Sequence, residues 1–171
     1  LSLEGVQVQK MQIVSKKMKK LLIKTCNLPD EYTINTPNLQ TLGLKETYVK
    51  KLQYGKMDKL KYLSLGLNVI QNGKEKASPV TVLDLQKNKN IAELSVTGCR
   101  INKLDLSPTN KTLRLASVTQ SGKYPIKQVR LGKMAALKGL SVSAKCAAID
   151  ASKCSRLNTC LLYTSDAADD K

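Results

Sequence analysis

One hydrophobic frame recurs along the chain: an apolar residue, two residues of any kind, an apolar residue, one residue of any kind, and an apolar residue. Its copies are Met18-x-x-Leu21-x-Ile23, Leu39-x-x-Leu42-x-Leu44, Leu60-x-x-Leu63-x-Leu65, Ile91-x-x-Leu94-x-Val96 and Leu137-x-x-Leu140-x-Val142, a degraded Thr112-x-x-Leu115, and Leu1-x-Leu3. The anchors Leu21, Leu42 and Leu63 lie 21 residues apart, as do Leu94 and Leu115. A fixed period of this length predicts a solenoid, in which copies of one supersecondary unit stack on each other.

The alternation inside each frame predicts short strands. In L-x-L the two apolar side chains point to the same side of a strand, so each strand buries one face and exposes the other. Neighbouring turns then pair as a parallel sheet with strands about 4.8 Å apart. No segment has a sustained helical period, so we expect little helix. An ordinary all-β domain is the alternative, and the fixed spacing of the frames argues against it.

The whole repeat is clearest in the copy that begins at Ile91. Leu94 and Val96 are followed there by Cys99, Ile101 and a Leu-Asp-Leu-Ser segment at 104–107. This copy resembles a leucine-rich repeat, in particular the short bacterial kind that ends in L-D-L-S, and the resemblance covers residues 1–159. It implies a right-handed, β-rich arc with a parallel sheet on the concave face and short strands or irregular segments on the convex face. It also implies a bacterial surface or secreted protein.

Some turns depart from the frame. In the second copy the later half drifts by one residue and places Tyr32 and Ile34 where the equivalent of Leu104-x-Leu106 should lie. An insertion near residues 71–80 is polar and predicts a loop. About seven turns are expected in residues 1–159, without the capping repeats that close such arrays.

The last residues, 160–171, form a separate segment in this interpretation. Their sequence resembles the in-frame translation of a sequencing adapter, and we expect the repeat frame to stop at residue 159. We therefore interpret 160–171 as a non-native tail that takes no part in the fold.

The residue inventory argues against an enzyme. The chain has no histidine, which removes Ser-His and Cys-His nucleophile pairs and the usual zinc sites. None of its Gly-Lys pairs has the upstream glycine of a phosphate loop. Asp84, Asp105 and Asp150 recur at one repeat position. We expect each of them to be a solvated residue of the outer strand or to satisfy a turn amide, rather than to bind calcium. Cofactors and metals are not expected, and the cysteines are expected to be reduced packing residues, although Cys146 and Cys154 are close enough in sequence to pair.

A partner is expected to contact the concave face. By alternation, the residues that flank the L-x-L leucines point outward there, and most of them are small and polar. The larger or charged ones are the candidate partner-binding residues Lys20, Lys24, Lys45, Tyr62, Glu93 and Arg114.

The charge of the chain leaves three functions open. The formal net charge is +16, and lysine greatly outnumbers arginine. The leading interpretation is a non-enzymatic module for protein or glycan contact, as in adhesion; the others are a repeat spacer that carries another domain and a basic surface that binds polyanions. Few aromatic residues accompany the lysines, which disfavours dedicated nucleic-acid recognition. No apolar run is long enough for a transmembrane helix.

Overall fold

The structure, a computed structural model, describes residues 1–6, 13–26, 28–29, 31–121, 123–146 and 149–163. Strands dominate these ranges, and the one helical element among them is a 3-10 turn at Ser107–Thr109. The strands, in chain order, are β1 (Ser2–Glu4), β2 (Ile13–Val14), β3 (Lys20–Lys24), β4 (Glu31–Asn35), β5 (Thr41–Lys45), β6 (Lys51–Tyr54), β7 (Tyr62–Gly66), β8 (Asn68–Gln71), β9 (Lys74–Ala77), β10 (Glu93–Thr97), β11 (Lys103–Asp105), β12 (Leu115–Thr119), β13 (Gln128–Arg130), β14 (Gly139–Ser143) and β15 (Thr159–Tyr163).

The L-x-L strands form a single parallel sheet. Its eight strands follow the order β1-β3-β5-β7-β10-β12-β14-β15. Leu21 pairs with Leu42 and Leu42 with Leu63, as the 21-residue period predicts, and Leu63 pairs with Leu94. These leucines are buried because every second side chain of each strand points into the core.

Shorter strands form a second wall around the same core. β2, β4 and β6 pair in parallel, β11 pairs with β13, and single bridges join Val82 to Lys103 and Val129 to Ile149. Tyr32 and Ile34 lie in β4 on this wall, where they pair with Leu52 and Tyr54, so they occupy the second apolar group of their repeat as predicted. Inward side chains from both walls belong to one hydrophobic cluster. The chain is therefore a β-solenoid of about seven turns with almost no helix, as the repeat predicts.

The polar insertion is a hairpin rather than a loop. β8 and β9 pair antiparallel, and Asn72 and Gly73 connect them with φ values of 53° and 70°. Asn-Gly with two positive φ angles is the turn that matches the twist of a two-stranded hairpin. Gly98, whose φ is 70°, leaves room for the Asn68 side chain, which a Cβ at residue 98 would overlap. The insertion therefore folds back against the turn that follows β10.

The register of the sixth turn differs from the predicted one. Leu94 pairs with Ala116, which lies 22 residues further on, so the frame here is Leu113-x-x-Ala116-x-Val118. Leu113 is fully buried, whereas Leu115, the predicted anchor, is 49 % exposed. The predicted anchor at Leu115 is thus wrong, because the 3-10 turn that precedes this strand makes the repeat one residue longer.

The repeat frame also continues past residue 159. β15 pairs with β14 along its whole length, with Cys160 opposite Leu140 and Leu162 opposite Val142. The expectation that the frame stops at residue 159 is therefore wrong, since residues 160–163 add a strand to the main sheet. The interpretation of the tail as adapter-derived stays a prediction, and residues 164–171 lie outside the described ranges.

Two leucines two positions apart test the corrected register. We expect Leu113→Ala to lower the free energy of unfolding by about 2–5 kcal/mol, because it opens a cavity in the core. Leu115→Ala should change it by less than about 0.5 kcal/mol, because this side chain lies on the surface. Urea denaturation of both variants provides the measurement, and a larger loss for Leu115→Ala would support the 21-residue register.

A buried hydroxyl gives a second test of the core. Tyr32 is fully buried, its hydroxyl has no hydrogen-bond partner among the described residues, and burial raises its pKa to about 12. Removing an unsatisfied polar group is nearly neutral or stabilising, so Tyr32→Phe should leave the free energy of unfolding unchanged or higher. The matched variant is Tyr54→Phe, which loses a 2.6 Å hydrogen bond to the Asp84 carbonyl and should cost about 0.5–1.5 kcal/mol. An equal loss in both variants would contradict this assignment.

Candidate functional site

The outward side of the eight-stranded sheet, here called the outer face, carries three columns of side chains. The middle column is made of small residues over the central five strands: Gly43, Ser64, Ser95, Ser117 and Ser141. Successive members of a column lie one strand spacing apart, about 4.8 Å. Because the side chains of this column are small, a partner that approaches the outer face can reach the side chains of the two flanking columns.

Three large side chains of the outer face lie side by side near its centre. Tyr62, Glu93 and Leu115 occupy one registered row on three adjacent strands, and we call them the central row. Tyr62 is 42 % exposed and Leu115 49 % exposed. Arg114 precedes β12 and places its guanidinium 3.8 Å from the Glu93 carboxylate. The structure thus brings together three predicted site residues, Tyr62, Glu93 and Arg114.

Leu115 is the member of this group that the sequence did not reveal as a surface residue. The signal was present, because Leu113 and Val118 fit the apolar frame better than Thr112 and Leu115 do. In the observed register Ser117 lies in the middle column, and Ala116 is a core residue. Gly139 lies beside Leu115 in the row, and the absence of a Cβ there lets the leucine side chain lie over it.

The three predicted lysines lie elsewhere on the outer face. Lys20 shares the row of Tyr62 but is two strands away, with Thr41 between them. Lys24 and Lys45 pair with each other at the opposite end of their strands. Both are compensated: Lys24 contacts Glu4 at 2.6 Å, which raises the pKa of Lys24, and Lys45 lies 3.6 Å from Glu46. They do not form one strongly basic site with Lys20.

The repeated aspartates accept hydrogen bonds from turn amides, which is one of the two structural roles expected for them. Asp84 accepts a 2.9 Å hydrogen bond from the Gln86 amide, and Asp105 and Asp150 do the same for the amides two residues further on. Such turns are a common use of aspartate, because its side chain can mimic the backbone acceptor. The hydrogen bonds from Ser152 lower the pKa of Asp150. The described residues contain no group of three or more His, Cys, Asp or Glu side chains that could hold a metal ion.

A cavity of about 350 Å³ opens in the second wall between β6 and the segment that follows the hairpin. Its floor is apolar, with Leu65 and Val96 from the main sheet. Tyr54 spans the gap and donates a hydrogen bond to the Asp84 carbonyl, and burial raises the pKa of this tyrosine. Asn88 closes one end through hydrogen bonds with the Met57 amide and the Gly55 carbonyl. These groups hold backbone together and offer no reactive arrangement.

No disulfide joins Cys146 to Cys154. Cys26, Cys99 and Cys154 are buried, and Cys160 is exposed. Burial raises the pKa of the Cys99 thiol to about 12. Because the thiolate is the reactive form, a thiol with such a pKa is inert near neutral pH.

Thiol labelling tests this arrangement. At pH 8 an aromatic disulfide reagent should modify Cys160 first, and Cys99 should react only after urea unfolds the chain. In a Cys160→Ser variant the fast phase should disappear while the slow, denaturant-dependent phases remain. Rapid labelling of Cys99 in the folded protein would show that its turn opens.

The described part of the chain contains no helix of the length and hydropathy that crossing a membrane requires. Comparisons with protein-family models, with curated proteins and with solved structures find no match.

Proposed function

We propose that the chain is a non-enzymatic binding module of the leucine-rich-repeat type, from a bacterial surface or secreted protein, which contacts a protein or glycan through its outer face. The observation that carries this proposal is the central row. An aromatic, a charged and an apolar side chain stand there in register on adjacent strands, over a floor of small residues.

The chemistry of the central row suits an interface anchor. Binding energy usually concentrates in a few residues near the centre of an interface, and tyrosine and arginine are over-represented among them. Tyr62 offers a ring and a hydroxyl, and Leu115 offers apolar area. Arg114 and Glu93 offer a donor and an acceptor whose own pairing at 3.8 Å is loose and exposed to solvent. Exposed ion pairs of this kind contribute little to folding, so a ligand could exchange partners with them at small cost.

Support for the leucine-rich-repeat type comes from the turns after three of the main strands, β3, β5 and β10. Many leucine-rich repeats place an asparagine there, whose side chain bonds the backbone of the turn. This chain uses Cys26, Thr47 and Cys99, and each donates to the carbonyl two residues earlier, at 3.2, 2.9 and 3.6 Å. Different side chains thus make one contact at one repeat position. The bacterial origin and the surface location rest on the sequence resemblance alone.

The proposal is tested by screening the full chain against an array of neutral and acidic oligosaccharides and a panel of immobilised extracellular proteins. For any probe that binds, a Tyr62→Ala/Leu115→Ala variant should raise Kd at least about tenfold. A matched control is Val14→Ala/Val82→Ala, which removes two side chains that are also exposed but lie on the second wall. The control should bind like the unaltered chain.

Two results would contradict the proposal. Equal effects of the two double variants would show that the outer face is not the contact surface. Absence of binding to every probe, by a chain whose circular dichroism shows folded β-structure, would favour the spacer interpretation.

A further inference from the structure

One edge of the eight-stranded sheet is strongly basic. The residues that lead into the seven strands from β3 to β15, here called the basic rim, are 16–19, 37–40, 58–61, 89–92, 110–114, 135–138 and 155–158. These segments contain ten lysines and arginines and a single carboxylate, Asp58. The corresponding residues at the other end of the strands are mixed in charge, with Glu4 and Glu46 beside Lys24 and Lys45.

The fold aligns these cations in a row. Backbone amides link equivalent rim residues from turn to turn, from Gln40 to Lys19, Lys61 to Gln40, Ala92 to Lys61, Arg114 to Ala92, Lys138 to Arg114 and Asn158 to Lys138. Each link advances one strand spacing, so Lys19, Lys61 and Arg114 follow each other at intervals of about 10 Å, and Lys138 is one strand further. The row runs across the strands, along the direction in which the turns stack.

The cations of the basic rim are largely uncompensated. Asp58 pairs with Lys56, which lies just outside the rim, and Arg114 lies near Glu93. The other nine rim cations form no ion pair within the described part of the chain, although their side chains are exposed. These are Lys16, Lys17, Lys19, Lys59, Lys61, Lys89, Lys111, Lys138 and Arg156. Self-repulsion in such a row disfavours the empty surface and is relieved by a bound anion.

Two surface depressions lie on this rim. The first, of about 360 Å³, is lined by Lys16, Lys17, Lys19, Asn38, Gln40 and Lys59. The second, of about 420 Å³, is lined by Gln86, Lys89, Asn90, Ser107, Pro108, Asn110, Lys111 and Thr112. Neither contains a carboxylate. Side-chain hydrogen bonds between turns, such as Asn38 to the Lys16 carbonyl at 2.7 Å and Thr112 to the Lys89 carbonyl at 2.7 Å, fix the loops that form them.

We propose that the basic rim binds a linear acidic polysaccharide, which lies along the row of cations and places sulfate or carboxylate groups in the two depressions. The amide and hydroxyl groups of the depressions are suited to sugar hydroxyls. The sparse cation row suits a sugar chain with one or two charges per disaccharide better than a duplex with one charge per roughly 1.7 Å. The seven segments contain no aromatic residue, so they offer no aromatic ring on which a base could stack.

The rim borders the central row at Arg114, which pairs with Glu93, but the first depression contains no residue of the central row. The site can therefore be tested there separately from the proposed function. The probe is a size-defined chondroitin sulfate oligosaccharide, whose disaccharide carries one carboxylate and one sulfate, and binding to the full chain is measured by calorimetry at several salt concentrations. In the variant Lys16→Gln/Lys17→Gln/Lys19→Gln/Lys59→Gln we expect Kd to rise at least about tenfold and the salt dependence to weaken. The control Lys103→Gln/Lys127→Gln/Lys133→Gln/Lys145→Gln has the same net charge and should change Kd less than about threefold.

Lysine acetylation of the unaltered chain gives a readout that does not depend on variants. The bound oligosaccharide should protect Lys16, Lys17, Lys19 and Lys59 while leaving Lys103 and Lys127 as reactive as before.

Equal losses of affinity in both quadruple variants, or uniform protection of all lysines, would show nonspecific attraction and overturn the proposal. Tighter binding of single-stranded DNA of equal charge would overturn it in favour of nucleic acid. The Tyr62→Ala/Leu115→Ala variant should retain the oligosaccharide, whether or not the outer face has a partner of its own.

Discussion

The parallel backbone ladder of the eight-stranded sheet is the constraint on which the rest of the molecule depends. Each turn must return the chain to the same register, because a shift of one residue would expose the leucines and bury the serines. The ladder holds this register across repeats of unequal length: Leu42 and Leu63 are 21 residues apart, Leu63 and Leu94 are 31 apart, and Leu94 and Ala116 are 22 apart. Both surfaces considered for binding are products of this ladder. The outer face consists of the side chains that alternation excludes from the core. The basic rim consists of the segments that immediately precede the strands of the ladder.

Much of the fold could be predicted, because the inward positions are chemically restrictive. An L-x-L at a constant interval admits few structures other than stacked parallel strands, and Leu21, Leu42 and Leu63 align as their spacing predicts. Prediction failed where another interaction determined the local length. A 3-10 turn lengthens the sixth repeat and moves Leu115 from core to surface, and an Asn-Gly turn makes a hairpin of a segment whose polar composition suggested a loop.

The candidate surfaces were harder to predict than the fold, because alternation gives the side on which a residue lies but not its charge environment. Lys24 and Lys45 have the expected orientation, yet Glu4 and Glu46 compensate them. The lysines between the strands are dispersed along the sequence. Their alignment depends on backbone hydrogen bonds between turns, such as that from the Lys61 amide to the Gln40 carbonyl, which no local pattern encodes.

The hairpin formed by β8 and β9 has a consequence for how such a chain can change. β7 and β10 pair as direct neighbours although this hairpin separates them in sequence. The pairing of two strands in the ladder therefore does not depend on the length of the segment that connects them. Its tip at Asn72 and Gly73 projects from the turn without belonging to either wall. Duplication, loss or exchange of a segment at that tip would therefore leave the strand pairing and the packing of the core almost unchanged. The protein could acquire new specificities at this position without any substitution in its core.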